Sequence, residues 1–311
     1  MTTLRKAAHE YLALRRRLGF KLHKAGKALP AFVTFMEQQR VSVIPAQLAL
    51  TWAQQPTTVQ PAEWAYRLSM VRGFARHRSA TDPRTEIPPD GLLPYRPKRA
   101  RPYLYSDEEI RRLLHAARAL PGNRALRRWT YYCLFGLLSV AGLRISEARA
   151  LELQDVDLRA GVLTIRGAKF GKSRLIPLHP STRRVLTDCL ARRAHQWRGR
   201  AVSSYVFVSS RGTRLDGGDI RRTFYTVSRQ IGLRGPSDHH GPRLHDLRHR
   251  FAVTTLVRWY RAGEDAERRL PILSAYPGHV HVSDTYWYLS AWPELMREAM
   301  ARLERRWEGQ S

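Results

Sequence analysis

Acidic side chains are scarce in this chain of 311 residues, which has 26 Asp and Glu against 54 Lys and Arg and a net charge of +28. Such an excess opposes compaction because like charges repel, so we expect an anionic partner that neutralises it. Nucleic acid is the usual candidate, since each neutralised phosphate releases a counterion and so favours binding. The alternative is a basic composition inherited from a GC-rich genome, because Arg far outnumbers Lys.

Cysteine and long apolar runs are also lacking. Cys133 and Cys189 are the only cysteines; they form neither a disulfide framework nor a zinc ribbon, and the apolar run around Cys133 predicts a core thiol. No stretch approaches the roughly 18–20 apolar residues that span a bilayer, so no membrane association is expected. Residues 1–20 are charged throughout and contain no signal peptide. We therefore expect a cytoplasmic, nucleoid-associated protein.

The chain is long enough for two domains, each with its own core. Residues 1–79 have apolar positions at helical spacing and predict four helices. Residues 80–104 are rich in Pro and Arg and predict a basic linker. We therefore expect a helical domain in residues 1–100 and a second domain in residues 101–311.

The second domain is predicted to be mainly α-helical with a small β-sheet, an α+β fold. Ser106 and Glu109 form a capping box that starts its first helix, and Gly142 breaks the long apolar helix that begins at about 125. Residues 162–166 and 173–178 alternate as a β-hairpin. Further helices are predicted at about 180–196, 217–231, 243–261, 264–274 and 292–307.

Two basic segments of this domain are candidates for phosphate chemistry. In AGLRISEA (141–148), the turn at Gly142 can present Arg144 at the start of a helix, where its planar fork can hold two phosphate oxygens. The alternative is a simple ion pair between Arg144 and Glu147, three residues on. In the hairpin, Lys169 or Lys172 can reach into a groove and give a proton to a leaving oxygen, although polar basic turns are common.

A third segment, His245-Asp246-Leu247-Arg248-His249, allows two functional interpretations. His245 and Arg248 share a helix face and can form a phosphate clamp. His245 and His249 have the spacing of a metal pair, but the zinc motif has Glu where this chain has Asp246. A solvated basic helix face is the third possibility.

The aromatic run Tyr286-Trp287-Tyr288 follows Gly278-His279 closely. Tyr286 and Tyr288 are two apart, hence about 200° apart around a predicted helix, so only one can face a given site. A tyrosine with its ordinary pKa of about 10 needs a base or cations to attack at neutral pH. The alternative is an aromatic stripe of the core.

Taken in order, these segments resemble the tyrosine recombinase (phage integrase) family. The matching strings are AGLRISEARAL (141–151), RGAKFGKSRLIPL (166–178), HDLRHRFA (245–252) and GHVHVSDTYWY (278–288). They cover the catalytic landmarks of the C-terminal domain. Residues 1–100 are similar to the family's helical, SAM-like core-binding domain in size, helicity and position only.

The resemblance implies a role for each matching residue. Arg144 and Arg248 would hold the scissile phosphate, with Glu147 as a supporting acid. Lys169 would be the general acid to the departing 5′-oxygen, with Lys172 as its competitor. The remaining catalytic residues would be His245 as acid/base partner, His279 as a phosphate ligand, and Tyr288, nine residues after His279, as the nucleophile.

The resemblance also implies a reaction and partners. Strands would be cut and rejoined through a 3′-phosphotyrosine link, with no metal, ATP or other cofactor, to move or resolve a mobile element. The substrate would be double-stranded DNA with inverted-repeat core sites, bound by a homotetramer on two sites, a dimer per site. Two features depart from the family: Pro277 replaces the usual Leu, and residues 261–267 form a charged insert. A DNA-binding module without cleavage activity and a metalloenzyme are the competing hypotheses.

Overall fold

The computed structural model describes residues 3–95, 101–121, 125–167, 173–238 and 241–276, and also residues 296, 297, 300, 301 and 304. The chain divides into two compact units, residues 1–100 and 101–311. The described residues are mainly helical with one small antiparallel sheet, which confirms the predicted fold class. None of the helices among these residues combines the length and the apolar character needed to cross a bilayer.

The first unit consists of helices whose apolar positions recur at helical spacing. They are α1 (Leu4–Arg17), α2 (Ala25–Gln38), α3 (Ala46–Gln54) and α4 (Pro61–Ser79). Thr3 starts α1 by accepting a hydrogen bond from the Lys6 amide, and Pro61 begins α4, where a missing N–H costs nothing. The core is built around Phe32 and Trp52, whose rings meet edge to face at 5.2 Å.

Much of the predicted linker instead packs against the first unit. Arg72 of α4 donates to the carbonyl oxygens of Pro88 and Pro89 at 2.7 and 2.6 Å. The Glu86 carboxylate accepts from the Ala46 amide at 2.7 Å and so caps the N-terminus of α3. A packed, proline-rich loop and a free linker have the same composition, which is why the sequence did not distinguish them.

Bounds are defined for seven further α-helices of the second unit, for one short 3₁₀ helix and for three strands. The helices are α5 (Asp107–Arg118), α6 (Ala125–Ala141), α7 (Ile145–Ala150), α8 (Pro180–Gln196), α9 (Gly217–Gln230), α10 (Leu244–Arg261) and α11 (Ala266–Ala275). The strands are β1 (Val156–Asp157), β2 (Val162–Ile165) and β3 (Arg174–Pro177), in the order β1-β2-β3. The capping box of Ser106 and Glu109 at the start of α5 is confirmed.

The predicted hairpin is β2 and β3, with Ile165 opposite Arg174 and Val162 opposite Pro177. Strand β1 was not predicted, because two residues are too few to show an alternating pattern. The predicted C-terminal helix, 292–307, lies outside the described residues except at 296, 297, 300, 301 and 304, which are helical.

Helix α6 is central to the core of the second unit. Leu134 and Phe135 of α6 are fully buried, and the ring of Phe224 from α9 meets Phe135 edge-on at 5.8 Å. Cys133 is also buried, as predicted, and Leu247 brings α10 into the same cluster. The end of α6 and the start of α10 thereby pack into one core; Arg144 follows α6, and α10 carries His245 and Arg248.

Candidate active site

The turn between α6 and α7 presents Arg144. Gly142 has φ +56°, in the left-handed region that favours glycine, and reverses the chain before Arg144, the N-cap of α7. The Arg144 amide and Nη1 both donate to the carboxylate of Glu147 at 2.9 Å. The predicted ion pair therefore exists, and it holds a guanidinium whose side chain is still 25% exposed.

Glu147 is the buried anion at the centre of this arrangement. Its carboxylate also accepts both terminal nitrogens of Arg174, at 3.1 and 2.8 Å. Burial alone would raise the pKa of Glu147, but the hydrogen bonds from Arg174 and from the Arg144 amide outweigh it and hold the pKa below its ordinary value. Glu147 therefore stays ionised and accepts hydrogen bonds from both Arg144 and Arg174.

Arg248 of α10 approaches the same turn from the other side. Its side chain is among the largest that are fully buried, and Nη1 donates to the carbonyl oxygen of Gly142 at 2.7 Å. A buried guanidinium needs such acceptors, because losing water without them is costly. Although Arg248 and Gly142 are 106 positions apart in the chain, this bond fixes α10 to the turn that carries Arg144.

His245 lies one helical turn before His249, and it is exposed to solvent. Desolvation of the ring by the surrounding protein lowers the pKa of His245, and the positive charge of Arg248 lowers it further. Arg243 and Arg144 act in the same direction, and only Asp246 opposes them. At neutral pH His245 is therefore an uncharged imidazole influenced by three guanidiniums, and it can accept or donate a proton.

His249 packs edge-on against His245, with ring centroids 4.8 Å apart and planes at 88°. Burial, followed by the charge that His245 can carry, lowers the pKa of His249 to about 4. The unfolded chain would have a histidine pKa of about 6.5. Above pH 6.5 His249 is uncharged in both the folded and the unfolded state. Below pH 6.5 His249 binds a proton in the unfolded state, whereas in the folded state it does so only near pH 4.

The folded protein should therefore lose stability through His249 as the pH falls from 6.5 towards 4. We expect the titration of His249 to lower the free energy of unfolding by about 2 kcal/mol between about pH 7.5 and pH 5. Denaturant unfolding at both pH values should show that His249→Gln is less sensitive to acid than the parent by this amount. His115→Gln, at an exposed position of α5, is the matched control and should keep the parent's sensitivity. Equal pH dependence of the parent and His249→Gln would refute the assignment.

The metal interpretation of this helix is not supported by the surroundings of Asp246. Its carboxylate is buried and accepts from the amide and guanidinium of Arg243, at 2.8 and 2.7 Å. It is thus engaged in capping α10. Within the described ranges, no three His, Cys, Asp or Glu side chains gather closely enough to hold a metal ion.

The end of α11 also reaches this region. Tyr276 stacks on Phe251 of α10, with ring centroids 5.3 Å apart, and its carbonyl oxygen accepts from Nε of Arg174 at 2.7 Å. Burial raises the pKa of Tyr276 to about 12, although Arg174 opposes the shift. This aromatic residue is therefore a packing element of the second unit.

The structure thus brings together three of the predicted catalytic residues: Arg144, His245 and Arg248. The other three, Lys169, His279 and Tyr288, lie outside the described residues, as do the alternatives Lys172 and Tyr286 and the divergent Pro277. The sequence reasoning assigned no role to Arg174. The available signal was the hairpin register, which places this cation on the buried face of β3.

Comparisons with known proteins identify the family to which the chain is similar. The phage integrase family matches residues 104–293. A putative integrase/recombinase of Sinorhizobium fredii, y4rB, is 62% identical over 99% of both chains, and the tyrosine recombinase XerD of Caulobacter vibrioides is 31% identical over 74% of this chain and 71% of its own. A solved structure of the Tn1549 transposon integrase in complex with circular intermediate DNA covers 97% of this chain and 100% of its own, with a TM-score of 0.66 at 16% identity.

Proposed function

The chain belongs to the phage integrase family of tyrosine recombinases, and from this premise we propose that it cuts and rejoins DNA through a 3′-phosphotyrosine intermediate to move or resolve a mobile genetic element. Site-specific recombination is the activity of the family. The observation that carries the finer proposal is the joining of Arg144 and Arg248 at the Gly142 turn, with the uncharged His245 beside them.

The two arginines are suited to a phosphodiester whose negative charge grows during attack. Arg144 is held by Glu147 and Arg248 by the Gly142 carbonyl, so neither guanidinium has to be ordered when DNA arrives. Donors fixed in advance around developing charge give the largest single contribution to many enzymatic rates. Here they take the part that metal ions play in other phosphoryl transfers, and the proposed reaction requires neither metal nor ATP.

In the proposed reaction the Tyr288 oxygen attacks the scissile phosphorus. A bond from phosphorus to the tyrosine oxygen forms, the bond to the 5′-oxygen breaks, and Lys169 gives that oxygen a proton. The tyrosine proton passes to His245, whose neutral form can accept it. A 5′-hydroxyl of another strand then attacks the phosphotyrosine, and the same proton movements run in reverse, so the energy of the phosphodiester is conserved.

The remaining assignments follow from family membership and from charge. We propose that the basic first unit, residues 1–100, and the catalytic unit, 101–311, both bind the core site. The substrate is double-stranded DNA with inverted-repeat sites, held by four protomers as two dimers. The protein would then reside with the DNA in the cytoplasm.

A covalent trapping experiment tests this function. The protein is incubated with DNA from the ends of its own element, labelled on either side of the cut, with a metal chelator and without ATP. We expect a detergent-resistant protein–DNA adduct that carries the label on the 3′-phosphate side. An adduct on the 5′ side, a requirement for a divalent cation, or DNA binding that never yields an adduct would each contradict the proposal.

A further inference from the structure

Arg174 is a charged residue on the buried face of β3. Successive side chains of a strand point to opposite faces, so Arg174 shares its face with Ile176, which is fully buried, and not with Leu175, which is 66% exposed. The side chain of Arg174 is only 13% exposed. A cation in this position is stable only if acceptors replace the water that it loses.

The acceptors of Arg174 come from two other elements. Its terminal nitrogens donate to both oxygens of Glu147, at 3.1 and 2.8 Å, and Nε donates to the Tyr276 carbonyl oxygen at 2.7 Å. Glu147 in turn holds the amide and guanidinium of Arg144. A continuous set of hydrogen bonds therefore joins β3, the start of α7 and the end of α11.

A proposed catalytic residue lies close in the chain to each of these elements. Arg144 is itself bonded to Glu147, Lys169 is five positions before Arg174, and His279 is three positions after Tyr276. The planar fork of arginine has donors enough to serve the carboxylate and the carbonyl together, whereas an ammonium group cannot match that geometry.

We propose that Arg174 is a positioning residue of the recombinase site: through Glu147 it orients Arg144, and through the Tyr276 carbonyl it fixes the point at which the chain leaves α11 towards His279. This inference rests on the proposed function. A misplacement of about 1 Å in such a site can cost on the order of 10²-fold in rate. The consequence should therefore appear in the cleavage step and not in DNA binding.

The test separates binding from cleavage. For Arg174→Gln we expect the single-turnover rate of adduct formation on saturating DNA to fall about 10- to 100-fold, with the Kd for DNA unchanged within about threefold. Arg174→Lys keeps the charge and should recover part of the rate. Arg166→Gln is the matched control on the same hairpin, because Arg166 is 61% exposed and pairs with Asp155 instead of Glu147; its cleavage rate should stay within about threefold of the parent.

A double-variant cycle tests whether Arg174 acts through Glu147. Residues that work as a unit have non-additive effects, so Arg174→Gln with Glu147→Gln should be no slower than the slower single variant. Rates that multiply, or an Arg174→Gln rate equal to the parent's, would overturn the positioning role while the proposed function stands. A parent protein that forms no adduct would overturn the proposed function and this inference with it.

Discussion

Tyr288→Phe should reduce formation of the covalent protein–DNA adduct by at least about 10⁴-fold, the scale on which an enzyme loses activity with its nucleophile. The variant lacks only the oxygen that attacks phosphorus and keeps the ring. Its affinity for DNA should therefore match that of the parent. The measurement is adduct formation on labelled end DNA, beside a binding titration on the same DNA.

The control for this variant is Tyr286→Phe. In the predicted helix the two tyrosines point in directions about 200° apart, so removal of the Tyr286 hydroxyl should leave the adduct intact. The spacing of nine residues from His279 favours Tyr288. The reverse pattern, with an adduct from Tyr288→Phe and none from Tyr286→Phe, would identify Tyr286 as the nucleophile.

The helices of this protein were predictable because their ends carry local signals. Pro61, Ser106 and Gly142 mark boundaries through their backbone chemistry, and the structure begins or ends helices beside them. The loop of residues 80–95 was harder to predict, because its attachment depends on hydrogen bonds to distant parts of the unit. Arg72 of α4 donates to the loop, and Glu86 of the loop accepts from the start of α3. Composition alone does not contain that information.

The candidate site shows the same division between local and distant information. The order of the segments that carry Arg144, His245 and Arg248 predicted the family, but no sequence pattern indicates that Arg248 bonds to the Gly142 carbonyl. The role of Arg174 likewise depends on Glu147 and Tyr276, which are 27 and 102 positions away. Residue types thus predict which reaction is possible, while contacts across the fold determine how the reacting groups are held.

Gly142→Ala should be the most damaging small substitution in the site. A Cβ at this position would lie 2.4 Å from Cδ1 and 3.0 Å from Cε1 of Phe251, and the ring cannot retreat easily because it stacks on Tyr276. Left-handed backbone costs a non-glycine residue roughly 1–2 kcal/mol, and overpacking costs roughly 1–3 kcal/mol more. We expect a loss of about 2–5 kcal/mol in the free energy of unfolding, measured by denaturant titration.

Gly232→Ala separates the two causes. Gly232 also has a positive φ, +74°, but among the described residues nothing lies within 4 Å of a Cβ built there. This variant should therefore show the backbone cost alone, and the excess loss in Gly142→Ala should measure the overlap with Phe251. Because the Gly142 carbonyl holds Arg248, Gly142→Ala should also lose adduct formation, whereas Gly232→Ala should retain it. Equal destabilisation of the two variants would show that the Phe251 contact relaxes without cost and that only the backbone conformation requires glycine at 142.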